Sequence, residues 1–466
     1  MVAQPFSAAQ SMEANANISD ANGNLLFYVS APNQAAYNFK IMDSNHNIMP
    51  NGDSINGYCS ATNDAMIVPF PDNPHLYYIF TTKLTTNAWN PTNYFPYYSV
   101  VDMSLNSGLG NVTSKNSLLL NAKVTEKIAL TKHGNGRDWW LVMHDADSSL
   151  YYTFLIDSTG IHNPLIQSIG INYNYSNNNL ALNGMWGEMV FSHDGSKLCN
   201  VNLTNLDYFN FDRCTGELSN YINLFTPHLP PILGANWNYS CEFSPNDHLL
   251  YVTTNFEIQS SFSHLYQFDL TATPIVSHVQ TISSISVPVL FGQLESASDR
   301  KIYIATGYAT HPNYIFDSTS MFLSTIEHPD SLGLACDFHL HGFSLNGHRA
   351  LMGLPNMPNY NLGALDFPCD SLSSIPPNEE MINSELNIYP NPNSGDFSVA
   401  VNSLLVRKLK LLICNSLGQI VFYSENEKVE DNRFIKIKAK LIPGFYFLQL
   451  IDENNRKNFA KLIITK

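Results

Sequence analysis

RDWWLVMHDADSSLYYTFLID, residues 137–157, reads as two short apolar strands separated by a polar turn, the second strand closing on Asp157. Trp, Tyr and Phe favour a pleated surface, and Asp, Ser and Gly supply the bends between strands. Working outward, the closing segment recurs as YNFKIMD to Asp43, YYSVVD to Asp102, YFNFD to Asp212, LYQFD to Asp269 and NYIFD to Asp317. The six aspartates are separated by 59, 55, 55, 57 and 48 residues. The strand before each is equally regular: NGNLLFYVS (22–30), HLYYIFT (75–81), RDWWLVMH (137–144), DGSKLCNVN (194–202), NDHLLYVTT (246–254) and DRKIYIAT (299–306). A carboxylate ending a strand can accept backbone amides two residues on and so close a turn. Six copies at one repeat position make the aspartates structural rather than catalytic.

Units of about 50 residues built from several short strands predict an all-β fold, a β-propeller whose sheets pack side by side around a channel. Six units lie between Ile18 and Ile326, and HGFSLNGHRALMGLPNM (341–357) with the stretch ending at Asp366 suggests another. The expectation is seven blades, with six as the alternative. No long 3.6-residue apolar periodicity supports a helical solenoid.

The 466 residues carry a formal charge of −15, unevenly spread. From Ser384 onward stand 12 of the 24 Lys and Arg and 8 of the 39 Asp and Glu, a net of +4; the rest of the chain has a net of −19. Such a split marks separate units. The acidic unit would repel a phosphate backbone, so nucleic acid is not an expected partner. No stretch approaches the roughly 20 apolar residues of a membrane helix, and the opening MVAQPFSAAQ lacks the features of a signal peptide. Of the seven cysteines none forms C-x-x-C, which argues against zinc and thioredoxin-like chemistry. Cys336 and Cys369 flank the last repeat and are candidates for a clasp, free buried thiols being the alternative. The organisation expected is a propeller over 1–368, a linker over 369–384 (CDSLSSIPPNEEMINS, rich in Ser with two adjacent prolines), and a C-terminal domain over 385–466.

That last stretch reads as about seven short strands in some 80 residues, a small Ig-like β-sandwich. LNIYPNPNSGDFSVAVNS turns at Pro390-Asn391-Pro392 and bends at Gly395, LKLLICNSLGQIVFYSE turns between Asn415 and Gly418, and FIKIKAKL alternates with period two. Here the sequence resembles the type A sorting domain of the Bacteroidetes type IX secretion system. The resemblance is carried by Tyr389, Pro390, Asn391, Pro392 and Gly395, by Asn415, Gly418 and Gln419, by Leu441, Gly444, Phe445 and Tyr446, and by the ending Lys461-Leu462-Ile463-Ile464. It implies passage across the outer membrane by the type IX machinery, with the tail often cleaved and the cargo released or attached to surface lipopolysaccharide. SDANGNLLFYVS, KHGNGRDWWLV, FSPNDHLLYV and LPNMPNYNLGALDFPCDSL likewise resemble propellers that precede this domain in the same bacteria. The resemblance implies a secreted or cell-surface location.

Chemistry is harder to read. Lys132 to Trp140 is the most polar cluster, and His133, Arg137 and Asp138 could act as base, anion clamp and orienter. As neighbours on a strand, Arg137 and Asp138 would face opposite sides. Glu126 and Lys127 in VTEKIAL are candidate channel-lining residues. Glu126, His133, Arg137 and Asp138 are therefore the candidate binding residues, and no catalytic set is named. His339 and His341 would share a strand face but lack a third metal ligand. Asp145 and Asp147 lack the Gly and distant Glu of a calcium loop. No cofactor and no metal are expected. The reading favours a non-catalytic binding or scaffold protein contacting a surface glycan or protein. The alternative is a secreted hydrolase or lyase acting on polysaccharide or peptide at the channel mouth.

Overall fold

The computed structural model describes residues 13–31, 38–84, 94–172, 185–202, 205–224, 238–254, 262–275, 278–308, 318–366, 369, 387–400, 409–415, 420–425, 434–452 and 457–465. The chain divides into two compact units, Met1–Ser371 and Leu372–Lys466. The expected linker falls, apart from Cys369, outside the described residues. Among the described residues no helix is long and apolar enough to cross a membrane.

In the first unit the described strands form six antiparallel blades. Their first strands are Asn15–Ser19, Ala65–Pro69, Val124–Lys132, Met189–Phe191, Asn238–Phe243 and Val289–Ser296. From the first blade to the sixth, consecutive blades pack through these strands, which therefore make the inner wall. The second and third blades are also joined by one ladder pair, Tyr94 with Val124. Because a blade buries both faces, side chains fill the space between neighbours. Phe27, Ile41, Ile67 and Ile79 lie between the first two blades, and Phe80, Trp139 and Phe154 between the next two. Each such side chain contributes about 1.5–3 kcal/mol of burial.

The repeat aspartates end the third strand of a blade and close the turn to the fourth. Asp43 accepts the amides of Asn45 and Asn47, both at 2.9 Å. Asp102, Asp157, Asp212 and Asp269 accept the amide two residues on at 2.9, 2.7, 2.7 and 2.9 Å. Asp317 lies outside the described residues. Asp145 performs the same work in a hairpin turn, accepting the Asp147 amide at 3.0 Å and the Ser148 hydroxyl at 2.7 Å.

A seventh blade is not present among the described residues; six is the count observed. Phe338–Ser344, which takes in His341, is the outer strand of the sixth blade. Residues 351–366 form no strand. Pro355 and Pro358 lack the amide hydrogen that a ladder needs. The segment instead runs as a strap that bonds the sixth, first, fourth, second and third blades. Gln293 N donates to Met352 O (2.8 Å), Asn356 N to Asn15 O (2.9 Å), and Asn359 Nδ2 to His193 O (2.8 Å). Tyr360 Oη donates to Ile67 O (2.7 Å) and Leu365 N to Gly134 O (2.8 Å). The strap thus links the sixth blade to the first, where no strand of one completes the sheet of the other. The expected Cys336–Cys369 clasp is corrected by the same feature. Cys369 bonds to Cys214 in the fourth blade, and Cys336 is a free, buried thiol.

The second unit is a two-sheet sandwich. Asn387–Tyr389, Asp396–Ala400 and Phe434–Lys438 form one sheet, and Ile420–Glu425, Leu409–Cys414, Gly444–Asp452 and Lys457–Ile464, in that spatial order, form the other. Phe397, Val399, Leu411, Ile413, Leu448 and Leu462 fill the space between them.

Candidate functional site

Each blade places one carboxyl at or beside its first strand: Glu13, Asp64, Glu126, Glu188, Glu242 and Glu295 in order. All but half-buried Glu295 are buried. Burial disfavours the charged form, so the carboxyls hold their protons to higher pH than usual. Desolvation pushes Glu242 up to about 6, Glu126 to about 7 and Glu188 to about 8. It raises Glu13, Asp64 and Glu295 well above the ordinary carboxyl range.

Most of these groups are spoken for internally. Glu126 Oε1 accepts the Thr62 amide (3.2 Å) and hydroxyl (3.1 Å) and the Gly187 amide (3.3 Å), while Oε2 accepts the Tyr94 hydroxyl (3.3 Å). It clamps the second, third and fourth blades together. Asp64 accepts the Tyr58 amide at 2.7 Å together with the amide and hydroxyl of Thr82. Strand alternation sends Lys127 the other way, into the fourth blade. There Nζ donates to Asn200 Oδ1 and Val201 O, both at 2.8 Å, and to Asn202 Oδ1. Lys127 is fully enclosed, and desolvation lowers it to about 7. Its expected place on the channel wall is therefore corrected; it lies between blades.

Three of the six acids meet at a cavity of about 530 Å³. Glu188, Glu242 and Glu295 line it from the fourth, fifth and sixth blades, Met66 and Thr131 from the second and third, and Asn356 to Asn361 of the strap form the facing wall. Glu188 is saturated: Oε1 accepts Gln293 Nε2 at 2.7 Å and Oε2 the Ser240 hydroxyl. Glu242 spends both oxygens on backbone amides, Phe243 N at 2.8 Å and Ser296 N at 3.1 Å. No hydrogen bond engages the Glu295 carboxyl among the described residues, and its proton is held by burial and then by the charges of Glu242 and Glu188. His193, also on the rim, pairs through Nδ1 with Asp247 (3.2 Å) and through Nε2 with Ser296 Oγ (3.1 Å). Burial alone would lower this imidazole, but the Asp247 bond and the charge of Glu242 raise it on balance.

None of Glu126, His133, Arg137 and Asp138 lines this cavity. Glu126 is the clamp just described, and the other three occupy the turn between Val124–Lys132 and Trp139–Asp145. Arg137 and Asp138 are in the turn rather than on a strand, so alternation does not separate them. Nε and Nη2 of Arg137 grip the two oxygens of Asp138 at 2.7 and 3.0 Å, and Nη1 reaches Asp72 at 3.0 Å. His133 accepts the Asn135 amide on Nδ1 (3.1 Å), which leaves Nε2 to donate to Cys214 O (3.2 Å). The turn receives the strap: at Gly136, with φ +73°, a Cβ would lie 2.4 Å from the Ala364 nitrogen. Buried Arg213 secures it, donating to Lys132 O (2.9 Å), His133 O (3.2 Å) and Gly363 O (2.6 Å). His339 and His341 do not form a pair. His341 has φ +59° at a ladder irregularity and packs on Phe322, whereas His339 bonds Asp337 at 3.2 Å. Among the described residues no three His, Cys, Asp or Glu are grouped to hold a metal ion.

The cavity acids escaped the sequence reading, although the repeat contains a signal for them. Counted back from Ser244 and Ala297, which open the turns after the first strands, Glu242 and Glu295 both stand at the second position. Counted from Ser192, Ser244 and Ala297, the fourth position is Glu188, Ser240 and Gln293, the three residues that bond one another.

In the sandwich, Asn391 joins the first turn to the last strand: Nδ2 donates to Lys461 O (2.7 Å) and Oδ1 accepts Ile463 N (2.8 Å). Gly395 takes φ +107°, where a Cβ would sit 2.3 Å from Ala439 O. Tyr446 is buried with its hydroxyl on Ile442 O (2.8 Å), and Lys461 Nζ lies 4.7 Å over the Phe445 ring. Tyr389 is exposed, Pro390 and Pro392 both follow cis peptide bonds, and Asn415 ends the strand Leu409–Cys414; Gly418 and Gln419 lie outside the described residues.

Residues 387–465 match the family described as the secretion system C-terminal sorting domain. An endo-acting ulvan lyase of Formosa agariphila is 32% identical over 81 residues, 17% of this chain and 15% of the lyase. The periplasmic gluconolactonase of Pseudomonas aeruginosa is similar at 10% identity with a TM-score of 0.40, covering 92% of this chain and 95% of that one. The Dos1 propeller is similar at 10% identity with a TM-score of 0.32, covering 63% and 71%. The propeller assignment rests on the sheet topology above. The tail is a type IX sorting domain of the kind found in the Bacteroidetes, and the protein is exported to the cell surface or beyond.

Proposed function

We propose that residues 1–368 are a non-catalytic binding or scaffold module that takes a glycan or protein group in the cavity beneath the strap, while 385–466 serve as its export address. One observation carries this reading. Of the three acids in the cavity, Glu188 and Glu242 have both oxygens committed to the fold, and Glu295 alone has no hydrogen-bond partner among the described residues. Cleavage of a glycosidic bond by paired carboxyls needs two that can face the bond from either side. Met66, Phe191, Met357 and the four lining asparagines offer instead the mixture of apolar wall and directed polar groups found in ligand pockets. Asn391 and Asn393 hold the sandwich's first turn, with Pro390, Pro392 and Gly395, to its last strand at Lys461 and Ile463, and this corner is the part of the tail the export machinery would read.

The alternative is a secreted hydrolase or lyase, and the free acid Glu295 beside the His193–Asp247 pair favours it. The likeness to the ulvan lyase covers too little of that enzyme to bring its chemistry here. The deciding experiment places the full chain on a glycan array and incubates it with the polysaccharides and peptides it retains. Retention without new reducing ends, unsaturated products or peptide fragments is expected. Product release abolished by Glu295→Gln would transfer the cavity to the enzyme reading.

A further inference from the structure

Resting on the reading of the cavity as a binding site, we infer that its ligand is a non-acetylated amino sugar whose ammonium group sits against Glu295. Glu295 is the one lining carboxyl with no hydrogen-bond partner among the described residues. Glu188 and Glu242 line the same space from the neighbouring blades, and with their carboxyl oxygens bonded into the fold they offer an incoming anion no donor. A cation meets one carboxyl that can give up its proton and receive it. Among the described lining residues the two cations already have carboxylate partners, Arg300 with Asp330 (2.8 Å) and His193 with Asp247 (3.2 Å).

A second, independent mark comes from the facing wall. Asn356 is 1% exposed, its Oδ1 accepts from Gln293, and its Nδ2 has no partner. A buried donor left unpaired is costly, so the site calls for an acceptor opposite the strap. An ammonium with a hydroxyl on the neighbouring ring carbon supplies both groups at once. The apolar faces of Met66, Met189, Phe191 and Met357 give the carbon–hydrogen side of a sugar ring something to pack on. Burial keeps a proton on Glu295 in the empty cavity, and that proton competes with the ammonium. Binding therefore releases one proton, and the desolvated ion pair that forms is strong when both members are hydrogen-bonded.

The test is calorimetric titration of the full chain with D-glucosamine and with N-acetyl-D-glucosamine. Acetylation removes the charge and keeps the ring. Glucosamine should bind at least about tenfold more tightly, which is roughly the effect of one good charged hydrogen bond. Glu295→Gln, whose melting temperature reports its folding, should reduce that preference to within about twofold. Equal binding of the two sugars would overturn the amine inference while leaving the cavity a binding site. Tighter binding of a lysine amide than of glucosamine would overturn the sugar class, and calcium chloride displacing glucosamine would show the carboxyls to be a metal site instead. If neither sugar binds the full chain while the array retains another glycan, the inference falls and the broader reading stands. Silence on both would sink the two together.

Discussion

The two units of this chain have opposite interiors. The propeller buries Glu13, Asp64, Glu126, Glu188 and Glu242 at or beside its inner strands and Lys127 between blades, whereas the only buried polar side chain among the described residues of the sandwich is Asn393. The sandwich turns its chemistry outward: Tyr389, Ile442, Phe445 and Phe447 are all exposed, at 61, 78, 60 and 44%. Size explains part of this. A small domain has little core with which to offset a desolvated charge, and a large ring has more. Function explains the rest. A module with a site holds polar groups inside, where solvent does not compete; a module that is recognised presents its residues on the surface.

The largest effect expected follows from separating the two. Deleting Leu386 to Lys466 removes the address and keeps the whole first unit, so the protein should disappear from the medium and cell surface and collect in the periplasm, as read by fractionation and immunoblotting. Undiminished export of the truncated chain would break the comparison at its root.

Next in size is Lys127→Ala. It leaves Asn200, Val201 and Asn202 without their shared donor and opens a hole between blades. A loss of about 3 kcal/mol is expected in denaturant unfolding, the scale of breaking a buried polar network. Lys438→Ala in the sandwich removes an exposed pair, Lys438 with Asp396 at 3.4 Å. That change should stay within about 0.5 kcal/mol. If the two substitutions cost the same, the contrast between the interiors carries no energetic weight.

Cys214→Ser tests the strap. The disulfide spans 155 residues of sequence, and loops of that size give about 2–4 kcal/mol in practice. The ring should melt lower and its cavity, walled by Asn356 to Asn361, should lose ligand affinity, while Cys414→Ser in the sandwich should change neither. Thermal scans with and without ligand measure both.

How much of this was legible beforehand differs along the same divide. The sandwich announced itself because its alternation and its turn residues are local signals. Five blades were legible for the same reason: each of their third strands closes on an aspartate whose carboxylate needs nothing beyond the next few amides; in the sixth the third strand, Phe322–Ile326, comes after Asp317. The strap was not legible, since its bonds run from irregular backbone to main-chain carbonyls in four blades, and such contacts impose no period. Arg213 was missed because its guanidinium is fixed by carbonyls, which any sequence provides. The sequence left Cys336 and Cys369 open between a clasp and free buried thiols; Cys336 is a free buried thiol, and the partner of Cys369, Cys214, is decided by where the strap lands.

The smallest effect expected is also the most diagnostic, a pH dependence confined to the ring. Glu242, Glu126 and Glu188 hold their protons in the folded state up to about 6, 7 and 8, against an ordinary value of 4.5. Between 4.5 and those values the folded ring binds more protons than the unfolded chain, so its stability is greatest at the acid end of the window and declines as pH rises through it. Lys127 acts in the opposite sense. Its folded value near 7 lies below the ordinary 10.5, so from pH 7 upward the unfolded chain binds the extra proton and the ring gains. The melting temperature of the ring should therefore fall from pH 5 to 7 and then level as the gain from Lys127 offsets the remaining loss at Glu188. Glu126→Gln should flatten the descending limb by a degree or two while keeping the Thr62 and Gly187 contacts to one oxygen. The sandwich has no buried carboxyl among its described residues, so its own transition should show no such limb. A ring whose melting temperature rises from pH 5 to 7 would mean that these acids are ionised in the fold, and the cavity would then be a site prepared for a cation from the start.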